Sequence, residues 1–342
     1  MAPLPPIVLV IPVKNAQRDI SSCLSASQAA ARKYEEDGGK ARIVVVDDAS
    51  TDNTTDIVGK FDVELVKLPP PSRGPSYARN RGAELASSDD ILVFADSDVL
   101  LKPDTLVKFG KIFAARDDVH AVFGSYDDSP TEPGFISQYK NLFHHYVHQT
   151  SLENSSSFWA GCGAIRKRIF SNVGGFPESY KRPAIEDIEL GYVLMSRGYR
   201  TVLAKDIQVT HTKKWTFFNL LKTDIFMRGV PWTVLLLRTR SFTKDLNLQT
   251  HNRVSVVLVY LMLLAILLAR YWFWMWASVL PLVGFIIYLN WGLYQFFAEK
   301  RGVLFAIKVF PLHLLYYIYN GISFWLGVIK YHLSGKMLSG QV

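Results

Sequence analysis

Residues 91–98 read ILVFADSD: an unbroken apolar run followed by a short turn with two carboxylates, Asp96 and Asp98. A continuous apolar run of this length is typical of a strand buried on both faces of a parallel sheet. Ligands of such sheets bind in the crevice at the carboxyl ends of the strands. We therefore predict a central strand here, with both carboxylates at the ligand-binding edge.

The same alternation of buried strand and helix extends towards the amino terminus. Further strands are predicted at 7–11, 43–46 and 63–66, and helices at 18–37 and 77–86. Strands and helices that alternate at short spacing predict an α/β fold, with a mostly parallel sheet covered by helices on both faces. Asp48 follows the second strand, so we expect it to face the same crevice as Asp96.

A third carboxylate pair, Glu186-Asp187, opens a helix-like segment. Carboxylates at strand ends suit a divalent cation, Mg²⁺ or Mn²⁺, which prefers oxygen ligands and holds phosphate groups in its open positions. A separate carboxylate could then deprotonate an acceptor hydroxyl. The three pairs together favour transfer of a sugar from a nucleotide diphosphate. Stabilisation of a helix N-terminus is the simpler alternative for the third pair.

Apolar residues are concentrated in the last third of the 342-residue chain, where Glu299 is the only acid after residue 246. Runs at about 252–269, 272–298 and 303–330 are each close to the 20 or so helical residues that a bilayer requires. We predict a catalytic domain at 1–212, amphipathic interfacial helices at 213–250 and a transmembrane domain at 251–342. Tryptophans at 272, 274 and 276 are placed as an interfacial aromatic belt would be.

The net charge of +8 favours anionic lipid headgroups over nucleic acid, because no nucleic-acid-binding motif is visible. Basic residues precede the first apolar run at Arg238, Arg240, Lys244 and Arg253. The short apolar run near the N-terminus has no basic residue before it and is predicted to be a strand, not a signal peptide. We therefore expect a multi-pass protein of the cell membrane with its catalytic domain in the cytosol. Lys300 and Arg301 would then return to the cytosolic side.

Seven motifs occur in a fixed order along residues 7 to about 211. They are VIPVKN, VVVDDASTDNT, GPSYARNRG, ILVFADSD, WAGCGAIRKRIF, VGGFPE and AIEDIELGYVLMSRGY. In this order they resemble glycosyltransferase family two, the inverting enzymes of Rossmann-like GT-A fold. The resemblance implies a nucleotide-sugar-binding domain with a divalent metal.

The resemblance also implies roles for individual residues. The nucleotide-sugar ligands would be Pro12, Lys14, Asn15, Asp48, Gly74, Arg79, Asp96 and Ser97. The metal ligands would be Asp98, Asp96 and His211, and the general base Asp187 beside Glu186. Trp159, Gly161, Cys162 and Gly163 would line the acceptor and sugar site as a loop. Family members often carry an aromatic residue where this chain has Lys14, which could reach a phosphate instead.

The acceptor is less closely specified than the donor. A hydroxyl acceptor gains from a positioned general base, whereas a polyprenyl phosphate is already ionised. Enzymes of the dolichyl-phosphate mannose synthase type have the same domain order but usually lack the Glu186-Asp187 pair, so the pair favours a hydroxyl of a lipid or lipid-linked sugar. A processive polysaccharide synthase stays open, although three membrane runs are few for a polymer channel unless chains assemble. Arg228 and Trp232 loosely resemble the Arg- and Trp-containing motif beside the acceptor site of processive and ceramide-type transferases. A simple interfacial Trp anchor is the alternative for this segment. The sequence leaves self-association as a homo-oligomer open.

Two cysteines, Cys23 and Cys162, lack the spacing of a zinc or redox motif and fit a reducing compartment. We expect the Cys162 thiol to be a small filler, because inverting transfer needs no covalent intermediate. A non-catalytic scaffold is disfavoured, because Asp96 and Asp98 are both present.

Overall fold

A mixed sheet of nine strands organises the first of two units, Met1–Lys214 and Trp215–Val342. The computed structural model describes residues 3–241 and 246–338, so Lys244 lies outside the described residues. The strands are β1 Ile7–Val13, β2 Ala41–Asp47, β3 Glu64–Lys67, β4 Ile91–Ala95, β5 Val99–Leu100, β6 Ala121–Tyr126, β7 Asn154–Ser155, β8 Cys162–Arg166 and β9 Thr201–His211. The helices of this unit are α1 Ile20–Glu36, α2 Thr54–Val58, α3 Pro75–Ala83, α4 Thr105–Ala115, α5 Phe135–Thr150, α6 Lys167–Val173 and α7 Glu186–Ser196.

The strand order is β3-β2-β1-β4-β8-β6-β9-β5, with β7 paired to β9. The first four strands in this order are parallel, as are β6 and β9, which confirms the mostly parallel sheet. Strand β8 runs antiparallel between β4 and β6, in a segment that we predicted to be a loop. Its Gly163 lies where a Cβ would come within 2.4 Å of the Trp159 carbonyl oxygen. Glycine in this strand therefore allows close backbone approach.

Both faces of the sheet carry apolar cores. Along β1, Ile7, Leu9 and Ile11 pack into one core, whereas Val8 and Val10 pack into the other. This alternation is what a strand covered on both sides requires. Full burial of each such side chain contributes about 1.5–3 kcal/mol, so the sheet is a rigid support for the residues at its carboxyl edge.

The carboxyl ends of β1, β2 and β4 meet at one edge, because Val13 pairs with Asp47 and Val10 pairs with Phe94. The turns beyond β1 and β2 are tied together. Asn15 donates its backbone N–H to Ser50 Oγ at 2.9 Å, and Asn15 Oδ1 accepts the backbone N–H of Thr51 at 2.8 Å. These bonds fix the rim of the predicted crevice.

The second unit is helical in its described residues. Its elements are α8 Phe217–Lys222, a π-helix at Thr223–Gly229, α9 Val230–Thr239, 3₁₀ turns at Leu246–Leu248 and Phe273–Met275, α10 Thr250–Leu268, α11 Trp276–Leu289, α12 Trp291–Arg301 and α13 Val303–Leu338. Helices α10 and α13 are long and apolar enough to cross a membrane. The predicted span at 272–298 is instead a pair of helices, α11 and α12, bent by 67°. The described part of the chain thus has two candidate spans, or three if the bent pair is one span.

The bend occurs at Asn290, which is 4% exposed and hydrogen-bonded on every side. Its amide nitrogen donates to Ile286 O at 2.8 Å and to Ser255 Oγ at 3.0 Å, and its amide oxygen accepts from Tyr317 Oη at 2.7 Å. Buried polar side chains link helices in apolar surroundings. Hydropathy alone does not reveal this break, because one polar residue barely changes the average over 27 residues.

Candidate active site

Asp48 lies directly after β2 and is 4% exposed. Its carboxylate accepts three hydrogen bonds from one loop: from Ser72 Oγ at 2.6 Å, Arg73 N at 2.9 Å and Gly74 N at 2.8 Å. An ionised carboxylate has about four lone-pair positions, so one position stays open to a ligand. The predicted nucleotide residue therefore also shapes the loop that leads into α3.

That loop is held on its other side as well. Gly74 has a φ of 96°, and a Cβ there would lie 2.7 Å from Tyr180 O, so glycine is required by conformation and by space. The Arg73 guanidinium lies 3.6 Å over the Tyr77 ring and 3.8 Å from Glu178. The Arg73 side chain is thus held at the protein surface by Tyr77 and Glu178.

Arg79 joins two of the three carboxylate pairs. Its guanidinium is 5% exposed and donates from Nη2 to Asp96 Oδ1 at 2.7 Å and from Nη1 to Glu186 Oε1 at 2.9 Å. Burial disfavours its charge, but the Asp96 and Glu186 carboxylates outweigh burial and keep its pKa above the ordinary value. Arg79 therefore positions both motifs from beneath the site, a contact that the nucleotide-ligand prediction did not anticipate.

The two members of the third pair have different environments. Glu186 is buried, and its second oxygen accepts the backbone N–H of Ala184 at 2.8 Å, so both oxygens are engaged inside the protein. Asp187 is half-buried and accepts the N–H groups of Ala160 at 3.1 Å and Ile188 at 2.8 Å. Both begin α7, as predicted. Each Asp187 oxygen thus accepts one backbone N–H, and Asp187 is the less buried member of the pair.

Burial, and then the adjacent Glu186 carboxylate, raises the pKa of Asp187 to about 7. The Arg79 guanidinium and the Ala160 N–H act in the opposite direction. A general base works best when its pKa lies near the working pH. The pKa of Asp187 thus meets the condition for a general base at neutral pH.

Asp98 and His211 meet at the other side of the Asp96 turn. His211 Nε2 lies 3.6 Å from Asp98 Oδ2, and the backbones are joined by pairing of Val99 with His211. His211 Nδ1 is 2.6 Å from Asn141 Oδ1 on α5, which directs Nε2 towards Asp98. A carboxylate oxygen suits Mg²⁺ or Mn²⁺, whereas an imidazole nitrogen suits transition-metal ions, so of the two predicted ions this pair fits Mn²⁺ better.

Within residues 3–241 and 246–338, no three His, Cys, Asp or Glu side chains come together as a metal-binding group. Mg²⁺ is usually held by one or two carboxylates together with substrate phosphates and water. Asp98 with a donor diphosphate would match that pattern, and His211 would add one nitrogen ligand. Asp96, predicted as a third ligand, has one oxygen engaged by Arg79.

The remaining predicted nucleotide residues lie on the same edge. Pro12 ends β1 with Val13, Lys14 and Asn15 are exposed in the turn that follows, and Ser97 is half-buried between Asp96 and Asp98.

Trp159 precedes Ala160, whose backbone N–H donates to Asp187, the predicted base. Its ring meets Tyr126 edge-on at 4.6 Å, and a Cβ at Gly161 would come within 2.5 Å of the ring. The acceptor role of Trp159 and Gly161 stays a prediction.

The predicted loop position of Cys162 and Gly163 is wrong, because both residues are in β8. The Cys162 side chain is fully buried in the core, and burial raises the pKa of its thiol. Burial likewise raises the pKa of Cys23 to about 12. Neither thiol is suited to act as a nucleophile.

Arg228 and Trp232 lie in the second unit. Arg228 is in the π-helix, 3.7 Å from Asp224, whose carboxylate also accepts from Tyr319 Oη at 2.7 Å. Trp232 is buried in α9, so it differs from an exposed interfacial anchor. The acceptor role of both residues stays a prediction.

The α/β sheet with carboxylates at its edge defines a domain of GT-A fold. Residues 8–174 match the model of glycosyl transferase family 2. The O-antigen chain rhamnosyltransferase WbaN of Salmonella anatum is 22% identical over 212 residues, which cover 56% of this chain and 64% of that protein. The glycosyltransferase AglE of Haloferax volcanii is 25% identical over 223 residues, which cover 64% of this chain and 70% of that protein.

The mannosyltransferase PcManGT of Pyrobaculum calidifontis, solved with GDP-Man and Mn²⁺, matches with a TM-score of 0.55. The match has 16% identity and covers 95% of this chain and 89% of that one. This likeness shows a shared fold. The chain spans just under two thirds of the length of WbaN.

Proposed function

We propose that the protein is a membrane-bound inverting glycosyltransferase. It would move a sugar from a nucleotide-diphosphate donor to a hydroxyl group of a lipid or lipid-linked acceptor at the cytosolic face of the membrane. The observation that carries this proposal is the Asp187 carboxylate, held by two backbone amides beside a fully engaged Glu186. The family match of residues 8–174 supports the donor class.

The donor binds at the carboxyl edge of the sheet in this proposal. Asp48 has one acceptor position left for an N–H of the base, and Lys14 is exposed on the rim for a phosphate. Asp98 and His211 would hold Mg²⁺ or Mn²⁺. When bound, such an ion neutralises the negative charge that develops on the departing diphosphate.

The transfer is a single displacement. Asp187 accepts the proton of the acceptor hydroxyl as its oxygen forms a bond to the anomeric carbon. The bond from that carbon to the diphosphate oxygen breaks, and the nucleoside diphosphate leaves with the electron pair. Attack from the face opposite the leaving group inverts the anomeric configuration. No covalent enzyme intermediate is required, which agrees with the burial of Cys162.

The acceptor is proposed to be membrane-borne because α10 and α13 can span a bilayer. A panel of nucleotide sugars incubated with the full-length protein and a membrane-lipid extract tests this directly. Mass spectrometry of the product should show one sugar joined to a lipid or lipid-linked sugar through a glycosidic bond. A phosphodiester-linked sugar would assign a polyprenyl-phosphate acceptor, and a ladder of products would assign a processive synthase.

The pH dependence of kcat/KM should have an acidic limb near pH 7. Asp187 must be ionised to act as a base, so activity falls about tenfold per pH unit below its pKa. Glu186→Gln should move this limb to lower pH, because the Glu186 charge helps to raise the pKa of Asp187. Steady-state rates between pH 5.5 and 9 measure both effects. A limb that stays in place in Glu186→Gln would belong to another group, such as an acceptor phosphate.

Removal of divalent metal should abolish transfer, and Mn²⁺ or Mg²⁺ should restore it. Asp98→Asn weakens one metal ligand and should raise the metal concentration needed for half-maximal activity by 10-fold or more, on the order expected for lost ligand charge. Asp118→Asn is the matched control, because this exposed carboxylate pairs only with surface arginines in the described structure. Full activity of the wild-type protein in EDTA would refute the metal assignment.

A further inference from the structure

We propose that Asn141 is a positioning residue that fixes the tautomer and ring orientation of His211 for cation binding. The proposal rests on the metal-binding role of Asp98 and His211 given above. Asn141 lies in α5, outside every motif found in the sequence. It reaches the site only because α5 packs beside β9.

The contact between the two side chains is short and enclosed. Asn141 Oδ1 lies 2.6 Å from His211 Nδ1, and the two residues are 1% and 4% exposed. Tyr126 stacks on the imidazole, with ring centroids 4.3 Å apart and planes inclined by 16°. The ring is therefore held by packing on its face and by the Asn141 bond at its edge.

The hydrogen bond decides which nitrogen faces Asp98. An amide oxygen can only accept, so His211 Nδ1 must carry the proton that it donates. Nε2 then presents a lone pair towards Asp98 Oδ2, 3.6 Å away. Two acceptors that face each other in this way can bind one cation between them.

Asn141 makes no other side-chain hydrogen bond among the described residues, and its amide nitrogen is buried without a partner there. A residue retained for packing alone would gain from an apolar side chain, because an unsatisfied buried amide costs about 1–3 kcal/mol. The polar contact of Asn141 is thus directed at His211 alone. Partners of this kind fix metal-binding histidines in many proteins, and their loss weakens metal binding about 10–100-fold.

The experiment is a titration of the full-length protein with Mn²⁺ in the presence of UDP or GDP. Electron paramagnetic resonance would report free Mn²⁺ and the ¹⁴N modulation of a bound imidazole. Asn141→Leu should weaken Mn²⁺ binding about 10–100-fold and remove the modulation. Asn141→Asp keeps the accepting oxygen and has no donor. It should therefore retain both the Mn²⁺ affinity and the ¹⁴N modulation of the wild type. Gln149→Leu is the control, since Gln149 also lies in α5 and bonds β9 at Lys205 O, 3.0 Å away.

His211→Ala separates the metal-binding role of His211 from the positioning role of Asn141. If His211→Ala binds Mn²⁺ as the wild type does, the metal assignment itself is wrong. If His211→Ala is weakened but Asn141→Leu is not, only the positioning role of Asn141 is overturned. Equal weakening of Asn141→Asp and Asn141→Leu would also overturn it, because the accepting oxygen would then be irrelevant. Thermal unfolding of each variant identifies any that fails to fold, and Asn141→Asp then decides the question.

Discussion

Asp187→Asn is expected to lower kcat by about 10²–10⁴-fold, the usual contribution of a positioned general base. Asparagine has nearly the same shape and can still accept one of the two backbone hydrogen bonds, but it cannot take a proton. Binding of the nucleoside diphosphate should stay nearly unchanged, because Asp187 contacts Ala160 and Ile188 and not the predicted nucleotide residues. Steady-state kinetics and calorimetric titration with UDP or GDP measure the two quantities separately.

Glu189→Gln provides the matched control for Asp187→Asn. Glu189 lies on the same helix and accepts from Tyr180 Oη at 2.6 Å, so its carboxylate is also engaged but two residues further along. Its variant should keep most of the activity. Full activity of Asp187→Asn would contradict the base assignment and favour a phosphate acceptor, which is ionised before it reaches the enzyme.

Arg79→Met is expected to destabilise the protein by about 3–5 kcal/mol, the typical cost of leaving one partner of a buried ion pair without its counter-charge. Glu186 is buried and would keep only the Ala184 N–H, while Asp96 would lose its bond to Nη2. For a domain of about 200 residues this corresponds to a lower Tm by roughly 6–20 °C. Thermal unfolding of the detergent-solubilised protein measures the change.

Two further variants show whether the buried charge is the cause. Arg79→Met combined with Glu186→Gln should recover part of the lost stability, because no uncompensated Glu186 charge remains. Arg81→Met removes a half-buried arginine of the same helix that pairs with Glu84 at 2.7 Å and with Glu178 at 3.5 Å. Pairs near the surface contribute about 0–1 kcal/mol each. If Arg79→Met is no less stable than Arg81→Met, the ion pairs of Arg79 with Asp96 and Glu186 do not contribute to the stability of the folded protein.

The sequence identified the features that depend on local pattern. The runs at 7–11 and 91–94 became β1 and β4, and Glu186 begins α7 as predicted, because burial on both faces and helix starts are readable from neighbouring residues. Asp48 and Asp96 could be placed at one edge because parallel strands bring their carboxyl ends together.

The features that depend on long-range packing were missed. The link from Arg79 to Glu186 joins residues 107 positions apart, and Asn141 meets His211 across 70 positions. Neither pairing leaves a local pattern, since α5 and α3 have ordinary helical sequences. The reversal of β8 was hidden by its glycines, and the bend at Asn290 by the apolar residues around it.

The burial of Cys23 and Cys162 has a practical consequence for testing the proposed membrane topology. Both thiols are enclosed and held in the unreactive protonated form, and the chain has no other cysteine. We therefore expect little background when the chain is labelled with maleimides. A single cysteine in place of Phe273, which is 83% exposed on the turn between α10 and α11, would report which side of the bilayer this turn occupies. Sidedness can thus be mapped one residue at a time without first altering the catalytic domain.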